Sequence, residues 1–272
     1  MATFPANRQT AIIVPGVSPD VFPWDRYPVP PLMYKYFPPE RFHVLTDCLV
    51  RFSQRQVFED GFELRPEVAR FGNEEEMRRF MEVDPVLQRH PPALKEAVIR
   101  HVLNDPEREA RLIQQTQGWL TGPDEFAVFS LTENAASDRM WDVYAGHGRG
   151  FVIAFDTTLQ AFRMLCQGGR LGKVEYTDAP IPSFLSTYGV DTFFRKRTRY
   201  QFEAEWRIIR RLARFSPTQV LRPQLGLPIY RAPFDPACIQ AILIARECAI
   251  EWELRNFVAI DCRYQHVKLC SV

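Results

Sequence analysis

In the stretch YQFEAEWRIIR, Glu203, Glu205 and Arg207 fall on every second position. An extended chain would place these three charged side chains on one face and Ala204, Trp206 and Ile208 on the other. A helical chain would instead make Glu203 and Arg207 an i,i+4 ion pair, worth about 0.2–0.5 kcal/mol. Two carboxylates and a guanidinium on one extended face form either a reaction centre or a solvated sheet surface. Other segments add chemistry of the same kind. RKRTR, residues 195 to 199, carries four positive charges in five positions. It is either a solvated face or a place where Lys196 or a neighbouring arginine clamps a phosphate, with arginine favoured for bidentate contact.

VFEDGFE at 57 to 63 sets Glu59, Asp60 and Glu63 beside Phe58 and Phe62. Three carboxylates this close suit a weak divalent-cation site, an acid–base pair, or a turn with exposed acids. Ser137 is a good N-cap for a short helix in which Trp141 and Tyr144, three apart, share a face. That pair either packs the helix onto a sheet or floors a pocket for a flat heterocycle. Gly146, Gly148 and Gly150 follow and allow a tight turn or close approach to a ligand. Of the histidines at 43, 90, 101, 147 and 266, only His147, in that glycine turn, merits a test.

The elements that must position these groups are strands interleaved with helices. Strands are expected at Leu32 to Phe37, Cys48 to Ser53, Phe126 to Leu131, Gly150 to Phe155, Leu171 to Tyr176, Trp206 to Arg211 and Ile239 to Ala245. Helices are expected around Arg41 to Thr46 and at Ser137 to Ala145, Asp191 to Phe202 and Ile250 to Val258. Residues 66 to 118 read as a helical insertion, with Asn73 before three glutamates and Asp105-Pro106-Glu107 as start signals. Its apolar positions Leu94, Val98, Leu103, Leu112 and Ile113 are expected to be core. Residues 1 to 31 hold seven prolines and read as an extended arm. No βαβ repeat and no glycine-rich phosphate loop appears, so the fold class is α+β with a mixed sheet in one domain over 32 to 272.

Composition narrows the function classes. Of 272 residues, 46% are hydrophobic, enough for a core, and 34 Lys plus Arg balance 33 Asp plus Glu for a net charge of +1. Such a chain attracts neither nucleic acid nor anionic membrane as a whole, so any basic site is local. No apolar run long enough to span a bilayer is present, and MATFPANRQT has no signal-peptide pattern, so a cytoplasmic protein is expected. The six scattered cysteines form no ligand spacing and are expected to be small buried hydrophobes, with no metal assigned.

Taken in order, YKY at 34 to 36, FEDGFE at 58 to 63, VFSLTEN at 128 to 134, MWDVYAGHGRGFVIAFD at 140 to 156, VEY at 174 to 176 and FRKRTRYQFEAEWRII at 194 to 209 resemble a bacterial family. It is the twenty-nine-seventy-one family of domains of unknown function. Its members read roughly YKY, FNDPFE, CFS, MWxxYAxxHxG, V-x-Y and KxxxWxxExExR. The resemblance covers about residues 32 to 245. The chain departs from that pattern with Glu59 for Asn, Gly61 for Pro, Val128 for Cys and Tyr200 for Trp.

The layout is also similar to that of ADP-ribosyltransferases, including the DNA-modifying toxins. This resemblance implies a mainly antiparallel split sheet with flanking helices, and NAD as substrate. It implies transfer to a macromolecular acceptor, nucleic acid included, by a bacterial toxin or anti-phage effector. Breaking the nicotinamide–ribose bond passes through an oxocarbenium-like state that a carboxylate stabilises. Glu205 is expected to fill that role, Glu203 to orient the acceptor and Arg207 to hold Glu205. Tyr34, Tyr36 or Trp141 would flank the nicotinamide, and Lys35 or Lys196 would neutralise the pyrophosphate. Phe58, Asp60, Glu63, Ser130 and Tyr144 complete the expected NAD-binding set. Two rival readings are a metal-dependent hydrolase or nuclease using Asp60, Glu63 and Glu203, and a non-catalytic nucleotide-binding module built on Trp141 and Tyr144.

Overall fold

The computed structural model describes residues 27–58, 64, 67–83, 87–120, 126–185, 193–223 and 226–272, with 83 and 116–120 described by backbone alone. Asp60, Glu63 and most of the proline-rich arm therefore lie outside the described residues. The end of the arm lies on the domain, where Thr157 donates to the carbonyls of Pro30 and Pro31.

The strands are β1 (Leu32–Phe37), β2 (Leu49–Gln54), β3 (Phe126–Thr132), β4 (Phe151–Asp156), β5 (Gly169–Lys173), β6 (Glu175–Tyr176), β7 (Arg195–Lys196), β8 (Glu205–Arg211), β9 (Val220–Leu221), β10 (Ile229–Pro233), β11 (Ile239–Ile244) and β12 (Lys268–Ser271). The helices are α1 (His43–Asp47), α2 (Glu74–Val83), α3 (Pro92–Leu103), α4 (Pro106–Leu120), α5 (Asp138–Tyr144), α6 (Gln160–Cys166) and α7 (Glu251–Ile260). The fold is α+β, as expected. Among the described residues ten strands form one mixed sheet, antiparallel throughout except where β12 lies parallel to β11, and β6 and β7 form a separate parallel pair.

Alternation along β3 and β8 divides this sheet into two faces. Phe129, Leu131, Trp206 and Ile208 enter the main core with Met33, Phe155 and Ile242. Val128 and Ile209 point the other way, where Leu64, Phe193 and Phe194 cover them. Glu205 and Arg207 share this second face, in register with Thr132 and Ser130.

The edges of β3 explain where an opening arises. One edge carries β8 along its whole length, from Phe126↔Arg211 to Thr132↔Glu205. The other edge is divided between two strands. β1 touches it at Tyr34↔Thr132, and β2 at Ser53↔Val128 and Gln54↔Ala127. Beyond those points β1 follows β4 and β2 follows β10, so the two strands splay apart into a fork closed by the α1 connection.

Some expected elements differ. The segment expected to be a helix over Asp191 to Phe202 instead forms β7 and a 3-10 turn over Thr198–Glu203, because Arg195 and Lys196 pair with Glu175 and Tyr176. Leu171 to Tyr176 is two strands, broken at Val174, whose amide donates to the Glu205 carbonyl. In the insertion, Leu94 and Val98 are not core but 47% and 39% exposed. The insertion's own small core is Phe71, Met77, Met81, Ile99 and Val102, with Phe184 stacked on Phe71. Its start signals hold: Asn73 and Glu76 cap α2 reciprocally at 2.7 and 2.8 Å, and Asp105 accepts from the Arg108 amide. Cys262 and Cys270 are exposed rather than buried, whereas Cys166 and Cys238 are buried. Among the described residues no helix is long and apolar enough to cross a membrane.

Candidate functional site

Glu203 and Glu205 meet at one cation, although not by the alternation their spacing suggests. Glu205 and Arg207 are true strand neighbours on one face of β8. Glu203 instead ends the 3-10 turn, and Ala204 takes a left-handed conformation with φ 42° that swings the chain into β8. This is a correction to a three-residue extended face: two members are on the strand, and a turn delivers the third. The face is not solvated either, since Glu203, Glu205 and Arg207 are 3%, 3% and 0% exposed.

Lys196 donates to Glu203 Oε2 at 2.6 Å and to Glu205 Oε2 at 3.3 Å. Arg207 donates from Nε to Glu205 Oε1 at 2.8 Å and from Nη2 to Oε2 at 3.0 Å, while its Nη1 is held by the Phe193 carbonyl at 2.7 Å. Tyr144 donates to Glu203 Oε1 at 2.6 Å. Ser130 adds a side-chain hydrogen bond to Glu205, and the Tyr176 hydroxyl accepts from the Glu205 amide at 2.7 Å.

These surroundings drive the two carboxyls apart. Burial raises both. At Glu205 the charges of Arg207 and Lys196, with hydrogen bonds from Arg207 and Ser130, outweigh burial and hold the carboxyl well below the usual range. At Glu203 burial and the negative charge of Glu205 win over Lys196 and the Tyr144 hydroxyl, so its carboxyl lies above the usual range. Two carboxyls with divergent proton affinity are what acid–base chemistry requires. Their capacity differs as well. A carboxylate offers about four lone-pair positions. Among the described residues Glu205 already accepts from Arg207 twice, from Lys196 and from Ser130, whereas Glu203 has two partners.

Both carboxylates line a cavity of about 480 Å³ at the root of the fork, within the roughly 300–1,000 Å³ usual for small-ligand sites. Most of the expected binding residues line it too: Tyr34, Lys35, Tyr36, Phe58, Ser130, Tyr144 and Lys196. Lys35 reaches in from β1, with its Nζ 5.4 Å from the centroid of the Phe129 ring. Burial pushes its ammonium down to about 8, against the pull of Glu205 and Glu203, and Lys196 pushes the same way as burial.

No protein-family model, curated protein or solved structure matches the chain.

Two expected residues stand elsewhere. Trp141 packs edge-on against Tyr36 with centroids 5.2 Å apart and donates its indole N–H to the Ala135 carbonyl, outside the cavity lining. His147 pairs with Asp142 at 2.9 Å in the exposed turn. Gly150 there serves packing, since a Cβ on it would stand 2.1 Å from the Phe37 carbonyl, whereas Gly146 and Gly148 take left-handed turn conformations with φ 60° and 71°. Lys196, expected at a phosphate, is engaged with carboxylates and lies 4.7 Å from the Tyr200 ring centroid. Sequence reasoning passed over Arg51 and Ser53, which line the cavity from β2. Their alternation in LVRFSQ is a signal only once β2 is known to edge a fork.

Proposed function

We propose that the chain is an NAD-dependent ADP-ribosyltransferase-like enzyme acting on a macromolecular acceptor, as the motif resemblance implies. The observation that carries this reading is the pair of buried carboxylates with opposed proton affinity, joined through Lys196, at the wall of a ligand-sized cavity. The fork in a mainly antiparallel sheet agrees with the split sheet expected of that fold.

In this reading the ribose of NAD lies against Glu205. As the glycosidic bond breaks, its electron pair leaves with the nicotinamide nitrogen and positive charge grows on the ribose. The fixed negative charge of Glu205 stabilises that state without reorganisation, because Arg207 holds it in place. Of the donors that Arg207 and Lys196 offer Glu205, Lys196 at 3.3 Å is the most distant, and a ribose hydroxyl takes its place. The acceptor's lone pair then closes on the ribose carbon and its proton passes to Glu203, whose raised proton affinity suits a general base. Tyr34 and Tyr36 supply aromatic walls for the base.

The metal-hydrolase reading is less favoured. Lys196 and Arg207 already occupy the positions around Glu203 and Glu205 that a divalent cation would need. The test is release of labelled nicotinamide from NAD with nucleic-acid and protein acceptors. Wild-type protein should release it, and Glu203→Gln and Glu205→Gln, checked for folding by circular dichroism, should lose at least about a hundredfold in rate. Equal release by wild type and both variants overturns the proposal.

A further inference from the structure

The fork between β1 and β2 continues past the carboxylates into a second cavity of about 420 Å³, shared through Lys35, Arg51, Ser53 and Tyr144. Among the described residues its ionic lining is one-sided: Lys35, Arg41, Arg51 and Arg231, with His43, against Asp47 as the acid. In a chain of net charge +1 this is a local concentration of positive charge.

Arg51 and Arg231 stand directly opposite each other on β2 and β10. Like charges at that register destabilise a sheet, and arginine does not escape by losing its proton. Both Nε atoms are buried and have no hydrogen-bond partner among the described residues, although a buried polar atom ordinarily has one. Burial and the neighbouring charge of Arg41 both disfavour the charged form of Arg51. The walls between these groups are apolar, including Phe37, Val44, Phe129 and Ile229, which strengthens any charge interaction inside.

A bound anion would resolve each of these features together. It would separate the two arginines, satisfy their Nε donors and offset the surplus charge. We propose that the fork is an anion site in which Arg51 and Arg231, assisted by Arg41 and Lys35, hold a phosphate or diphosphate group. Planar guanidinium forks suit phosphate oxygens by bidentate contact. The site stands whether or not Glu205 supports transfer from NAD. The phosphate has two possible sources, the diphosphate of a dinucleotide whose other end reaches Glu205, or the backbone of a nucleic-acid acceptor.

The experiment is isothermal titration of the full chain with inorganic pyrophosphate at low salt. Wild type should bind, and Arg51→Gln and Arg231→Gln should each bind about tenfold more weakly or worse. Arg231→Gln also removes the charge facing Arg51, so its melting temperature should equal or exceed that of wild type, which separates lost binding from lost folding. Displacement of pyrophosphate by NAD assigns the site to the dinucleotide, and displacement by a short oligothymidylate assigns it to nucleic acid. No binding by wild type, or undiminished binding by both arginine variants, overturns the proposal.

Discussion

Arg207 grips Glu205 with two parallel hydrogen bonds, at 2.8 and 3.0 Å, with one residue between them in the chain. The pleat makes this possible, because positions two apart on a strand share a face. Both partners are buried, so the pair is costly to break from one side.

Glu205→Gln should therefore lower stability at neutral pH by about 3–5 kcal/mol, the usual cost of leaving one buried charge uncompensated. The pH dependence has a definite sign. The folded carboxyl of Glu205 lies below its ordinary 4.5, so its stabilisation is complete above that value and is lost as pH falls toward the folded value. The difference between wild type and variant in urea unfolding should accordingly shrink at acid pH. A difference that stays constant or grows there contradicts this account.

How far the site could be read in advance follows from the same geometry. β1 and β3 are rich in apolar, β-branched and aromatic residues and β8 alternates charged and apolar positions from Glu205 to Ile208, so their bounds are legible to within a residue or so. Strand β10 ends in Pro233 and β12 is a four-residue KLCS, so neither carries enough alternation to be seen. Helix α6 escapes because Leu159 gives it no side-chain cap. RKRTR reads as helical by local spacing, yet a partner strand twenty residues upstream overrides it. Glu205 with Arg207 was visible from spacing alone. The place of Glu203 depends on a left-handed Ala204, which nothing in an alanine announces. Arg51 and Arg231 become a pair only through the register of two strands far apart in the chain.

Tyr144→Phe isolates the hydrogen bond to Glu203. Its removal should cost about 1 kcal/mol, below the roughly 1.5–3 kcal/mol of a bond to a charged group because Tyr144 is partly exposed. The hydroxyl also works against the upward shift of the Glu203 carboxyl, so the variant should push that carboxyl higher still. Under the proposed reaction the acid limb of the pH–rate profile for nicotinamide release moves to higher pH in Tyr144→Phe. A limb that does not move removes Glu203 from the proton transfer.

Gly150→Ala tests the packing of the glycine turn on β1. The added Cβ would meet the carbonyl oxygens of Phe37 at 2.1 Å and Ala145 at 2.9 Å, both backbone atoms that cannot swing aside. The cost should reach about 3 kcal/mol or more by urea unfolding. Because Phe37 ends the strand that carries Tyr34, Lys35 and Tyr36, under the proposed function NAD binding should weaken even at temperatures where the variant remains folded. Wild-type stability in this variant would mean that the turn yields freely.

Lys35 gives the site a pH limit at the alkaline end. Burial lowers its ammonium from 10.5 to about 8, so it is largely charged at pH 7 and largely neutral near pH 9. If it holds an anion, NAD affinity should fall as pH rises through about 8. Lys35→Arg keeps the charge and should flatten that fall, while Lys35→Met should bind weakly throughout. Stability should follow the opposite course. The folded form holds its proton less tightly than the unfolded chain, so the penalty is complete below about 8 and is relieved between there and 10.5. Lys35→Met should thus be more stable than wild type at neutral pH while binding NAD less well. Calorimetry and urea unfolding across this range check both, and a variant that loses stability together with affinity would make Lys35 a structural residue instead of a binding one.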